Sequence, residues 1–171
     1  MNLQSFLKKL SELAELHARR EYEAAYDLVI DLLGQQPHSA DLLVKRAILE
    51  QLLDRDEPDG DVTLESVRAH LETAHLLQPC AVEPLLELGH LAYAVENDPE
   101  AGLRSFEAAR ESAESALREA LLGKIKCLIE VGEPTLALAE IEAAAACFDG
   151  DSDFEELKAA ASRAPADPSG R

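Results

Sequence analysis

The sequence predicts an all-α fold: a stacked array of about four helix hairpins, closed by a C-terminal helix. Three observations predict it. One stretch recurs, since Leu88 to Ala109, LGHLAYAVENDPEAGLRSFEAA, is echoed by Leu122 to Ala144, LGKIKCLIEVGEPTLALAEIEAA. The pairs Leu88-Gly89 and Leu122-Gly123 stand 34 residues apart; the turn prolines Pro99 and Pro134 stand 35 apart, as do the Glu-Ala-Ala ends that start at Glu107 and Glu142. Apolar residues also recur at helical spacing with no strand signal, and a period of this length with that patterning marks helix-turn-helix arrays. Finally, 47% of the residues are apolar but only 4% are aromatic, with no Trp, and Ala and Leu dominate. Short unbranched side chains favour closely packed helices over a β-sandwich.

Phe6, Leu7, Leu10, Leu13 and Leu16 predict a first helix over about residues 3–18. Glu21 to Ala25 opens a second that runs to Leu33, where Gly34 and Pro37 stop it. Ser39 or Asp41 caps a third, which carries Leu42, Leu43, Ala47, Ile48, Leu52 and Leu53. The acidic insertion Asp54 to Val62 follows, about eight residues longer than a tight turn, and long insertions in compact folds are often functional. Thr63 to Leu77 is its partner helix, packing through Val67, Leu71 and Ala74 and closed by Pro79. Pro84 sits in the first turn of the next helix, where a missing N–H costs nothing, and the small Gly89 permits close approach of the paired helix. Asp98-Pro99 starts that paired helix, with Gly102, Phe106 and Ala109 at packing positions; Glu111 to Ala116 bridges straight on without a proline. Leu122 and Gly123 begin the fourth unit, which turns at Gly132-Glu133-Pro134, packs Ala137, Ile141 and Ala144, and ends at Asp149-Gly150-Asp151. Ser152 to Arg163 reads as a last helix with Phe154 and Leu157 inward, covering the apolar face that a terminal repeat leaves open. Residues 164–171 read as a disordered tail.

On these residues the chain resembles the tetratricopeptide repeat (TPR) family. Leu85, Leu88, Gly89 and Tyr93 match that family's first-helix pattern, and Tyr22, Ala25, Leu32 and Pro37 match its second helix and closing proline. Leu13 stands where the family carries a small residue at the helix crossing. The resemblance covers roughly residues 6–163 and implies a right-handed α-solenoid in one domain over 1–163. Its repeats fall at about 6–39, 40–81, 82–115 and 116–150, with a capping helix at 151–163. It implies a non-enzymatic adaptor that holds a peptide or helix of a partner protein in a concave groove. Carrying the family's groove positions onto this chain gives Leu10, Ala14, His17, Val44, Ile48, Gln51, Leu86, His90, Tyr93, Lys124 and Cys127. Some relatives place Lys, Arg and Asn there to clamp a chaperone's C-terminal carboxylate. Here the fifth positions are Leu10, Val44, Leu86 and Ala120, so that clamp is missing. The groove is mixed apolar and suits hydrophobic anchors.

The balance of 16 basic against 34 acidic residues, a net charge of −18, excludes phosphate backbones and anionic membranes as partners. It leaves a basic polypeptide in play. The alternative function is therefore an acidic immunity protein or secretion chaperone that neutralises or holds a basic toxin or effector. No apolar run approaches the roughly 20 residues that span a bilayer, and the start lacks the apolar core of a signal peptide. Cys80, Cys127 and Cys147 are odd in number and lack CxxC spacing, which fits a reducing cytoplasm. Cys127 and Cys147 read as buried small apolar residues, and the five histidines as surface or groove residues without ligand spacing. Asp54, Asp56 and Glu65 fit the first, third and twelfth places of a calcium loop, but Pro58 and Asp59 occupy the fifth and sixth, so a solvated loop is expected. No nucleophile motif or phosphate loop is present. The expectation is no enzyme, no cofactor and no metal; monomer and homodimer both remain open.

Overall fold

The computed structural model describes residues 3–53 and 63–163, and every regular element among them is helical. The chain is all-α, with no strand among the described residues. The helices are α1 (Leu3–Ala18), α2 (Tyr22–Gln35), α3 (Ala40–Leu52), α4 (Leu64–Leu77), α5 (Val82–His90), α6 (Pro99–Glu130), α7 (Pro134–Phe148) and α8 (Ser152–Arg163), with a π turn over Leu91–Val95 between α5 and α6. The acidic insertion 54–62, the calcium-like places within it and the tail 164–171 lie outside the described residues. By its contacts the chain divides into two compact units, Met1–Ser112 and Ala113–Arg171.

In the first unit each helix from α1 to α5 packs on the next, and α3 also touches α5. Amphipathic spacing drives this. On α2, Ala25, Val29, Leu32 and Leu33 form one stripe and are buried. Helix α3 is covered on most sides, burying Leu42, Leu43, Val44, Ala47, Leu49 and Glu50. It is the centre of the unit's core, to which α4 adds Val67, Leu71 and Ala74. A reciprocal cap starts α4: the Ser66 N–H donates to Thr63 Oγ1 at 3.1 Å, and the Thr63 N–H donates to Ser66 Oγ at 2.9 Å.

The passage from α5 to α6 is tight. The Glu96 N–H donates to the Leu91 carbonyl at 3.0 Å, the five-residue reach of a π turn. Asn97 takes a left-handed φ of 56°, and Asp98 Oδ1 accepts from the Ala101 N–H at 2.9 Å, capping α6 ahead of Pro99. A Cβ on Gly102 would fall 3.2 Å from Tyr93 Cβ and 3.3 Å from the Gly89 carbonyl oxygen. The expected close approach at Gly89 is therefore present, and Gly102 provides its other side.

The repeat boundary placed at 115/116 falls inside α6, a single helix of 32 residues. Residues 111–116, ESAESA, contain neither Pro nor Gly, so nothing there interrupts the backbone ladder. Similarly, α2 runs through Gly34 to Gln35 rather than stopping at Leu33.

In the second unit Leu122, Ile125, Ala137, Ile141, Ala144, Phe154 and Ala161 form the core. Gly132, at a φ of 81°, turns the chain into α7, and Gly150, at 75°, turns it into α8. Arg118 reaches the start of α8. Its Nε lies 2.6 Å from Asp151 Oδ2, and its terminal nitrogen lies 2.6 Å from Asp153 Oδ2.

Candidate functional site

Steps of four and three residues place Leu10, Ala14 and His17 on one face of α1. The same rule places Lys45, Ile48 and Leu49 on one face of α3. With Leu13 and with Glu83 from α5, these residues line a recess of about 290 Å³ in the first unit. Leu13 and Leu49 form its floor, 3% and 1% exposed, and Leu10 and Ile48 are half-buried along its walls. His17, Lys45 and Glu83 are exposed at its rim. The His17 ring lies 5.9 Å from that of Tyr22, tilted by 59°.

The volume stands at the lower bound of small-molecule pockets, about 300 to 1,000 Å³. An apolar floor ringed by one ammonium, one carboxylate and one imidazole is suited to a bulky apolar side chain whose own backbone or neighbours meet the rim. Among the described residues its lining carries no Ser, Thr or Cys.

Leu10, Ala14, His17 and Ile48 are thus the assigned groove residues that share this recess. Val44 is not a surface residue: α2, α4 and α5 around α3 leave it 1% exposed in the core, which corrects its placement in the groove. Gln51 is exposed, and its side-chain N–H donates to the Ala47 carbonyl of its own helix at 3.2 Å. Leu86 and Tyr93 are exposed at 39% and 63%, Tyr93 on the π turn. The exposed His90 sets its ring 5.1 Å from Phe106, nearly perpendicular to it. None of these three lines the recess. Lys124 and Cys127 belong to the second unit, where Lys124 pairs with Glu140 at 2.6 Å. Cys127 and Cys147 are both exposed, as is Cys80, so the reading of two buried thiols is corrected. The core stripe of α7 runs through Ala137, Ile141 and Ala144 and passes beside Cys147, and Cys127 sits two residues beyond the buried Ile125, across the helix from it.

One cluster escapes sequence reading altogether. Glu50 carries a fully buried carboxylate. Arg46 Nε donates to its Oε1 at 2.8 Å, the Tyr26 hydroxyl donates to the same oxygen at 3.3 Å, and His70 Nδ1 lies 3.2 Å from Oε2. Burial pushes this carboxyl up, but the hydrogen bonds from His70 and Arg46 outweigh it and hold it below its ordinary value. The cluster ties α2, α3 and α4 together. Only the i, i+4 spacing of Arg46 and Glu50 is local; Tyr26 and His70 lie 24 and 20 residues away from Glu50, so no spacing rule finds them.

Among the described residues no group of three or more His, Cys, Asp or Glu side chains is disposed to hold a metal, and no helix is long and apolar enough to cross a membrane. Compared with protein-family models and with curated proteins, the chain matches none.

Proposed function

We propose that this chain is a non-enzymatic, cytoplasmic scaffold of TPR-like helix hairpins that holds a helix or extended peptide of a partner protein. One observation carries the reading: Leu10, His17 and Ile48, assigned to a groove from repeat register alone, line one apolar recess. The order of packing in the first unit, each helix on the next, supports a hairpin array. The partner's apolar side chain fills the recess over Leu13 and Leu49, and Lys45 and Glu83 set its orientation through charged hydrogen bonds at the rim.

A second reading is favoured by the net charge of −18. The same scaffold then holds or neutralises a basic toxin or effector, with the acidic surface steering encounter.

Panning a displayed random-peptide library on the wild-type chain and on Ala14→Arg tests the proposal. Ala14 is exposed and lines the recess, so arginine there blocks it without entering the core. Enrichment of sequences with bulky apolar anchors, lost on Ala14→Arg, is the expected result. No enriched family, or one indifferent to the substitution, counts against it.

A further inference from the structure

We infer that the second unit carries a separate docking groove, between α7 and α8, for a basic polypeptide segment that inserts one apolar side chain. The groove encloses about 330 Å³ over a floor that includes Ile141, Phe148 and Phe154. Gly150 turns the chain so that the Phe148 and Phe154 rings stack, with centroids 5.6 Å apart and planes 16° from parallel. Ile141 and Phe154 are buried, whereas Phe148 is half-buried.

Charge selects the occupant. Glu142, Asp149 and Glu155 line the groove, are exposed, and form no ion pair among the described residues. Lys158 is the cation on the lining, and Arg118 is already engaged by two carboxylates, those of Asp151 and Asp153. The rim is therefore negative around an apolar floor. Lysine or arginine side chains meet both features, because their aliphatic stems lie on the apolar surface while their heads reach the carboxylates. An acidic or neutral segment meets only one. The surface is distinct from the recess on α1, α3 and α5, and its failure leaves that reading standing.

The test uses the full chain and a synthetic amphipathic peptide of lysine and leucine, with a counterpart in which glutamate replaces lysine. Binding is read by fluorescence anisotropy at low and high salt. The lysine peptide is expected to bind, to weaken with salt, and to lose about tenfold or more in affinity on Glu142→Gln/Asp149→Asn/Glu155→Gln or on Ala145→Arg. Neutralising Glu100, Glu107 and Glu111 of the first unit instead leaves binding unchanged. Equal loss on that control means net charge alone, and overturns the proposal. So does an absence of binding to the wild type, or loss confined to Ala14→Arg. Self-association in sedimentation that Ala145→Arg abolishes also overturns it, because the occupant is then a second copy. Should Ala145→Arg lose helicity, the triple amide variant, which alters only exposed side chains, decides.

Discussion

Gly89 faces the ring of Phe106 with no space for a methyl group: a Cβ at position 89 would fall 2.7 Å from Phe106 Cε1 and 2.8 Å from two further ring carbons. The ring also sits edge-on to His90, which limits its retreat. At Gly123, the residue that stands in the same place in the echoed stretch, a Cβ meets nothing within 4 Å. The two Leu-Gly pairs thus match in sequence and differ in function.

Opposite effects on stability follow. Gly89→Ala is expected to cost about 1–3 kcal/mol through overpacking. Gly123→Ala is expected to add about 0.5–1 kcal/mol, because it removes a flexible residue from a helix interior. Urea unfolding of the two variants beside wild type checks this, and similar shifts of one sign contradict it.

Glu50 links stability to acid. Its folded carboxyl titrates below the unfolded value of about 4.3, so its contribution is complete above that value and is lost as pH falls through it towards the folded one. Glu50→Gln should be less stable at neutral pH and should flatten the acid limb of the stability curve. Arg46→Ala leaves the buried carboxylate to His70 and Tyr26 and is expected to cost about 1–3 kcal/mol. Denaturant midpoints measured across pH test both.

Glu87 carries the opposite sign. Burial raises its carboxyl and the nearby Glu83 raises it further, against a smaller pull from His90 than burial exerts. A raised folded value means that ionisation is harder in the folded state, so stability declines as pH rises from the unfolded value through the folded one. Glu87→Gln should therefore be the more stable protein at neutral pH and equal to wild type in acid. Thermal midpoints at the two pH values decide it.

Arg118 holds the start of α8 by binding Asp151 and Asp153, and its guanidinium keeps the Asp151 carboxyl below its ordinary value. Arg118→Ala should speed hydrogen exchange across α8 and leave α1 to α5 unchanged. Added salt should narrow the difference, since these pairs face solvent.

Helix positions were readable because they are local. The stripe Leu10, Leu13 and Leu16 fixes α1, the Asp98-Pro99 start fixes α6, and Gly132-Glu133-Pro134 fixes the turn before α7. The continuity of α6 was legible in Glu111 to Ala116, which carries no stop signal, but repeat register set a boundary at 115/116 inside that helix. Burial around α3 was misjudged for a related reason. Groove positions were assigned to α3 by register, but α3 packs on α2, α4 and α5, which places Val44 in the core and leaves Ile48 on the recess wall. Neither Lys45 nor Glu83 was singled out, since each is an ordinary surface charge until α1, α3 and α5 meet around one space.

Hydrogen exchange of the chain, free and saturated with a peptide selected on it, tests the central claim most directly. Slowed exchange across residues 10–17 of α1 and 45–49 of α3, abolished by Ala14→Arg, is the predicted result. Peptide-dependent protection elsewhere, with those two segments unchanged, contradicts it.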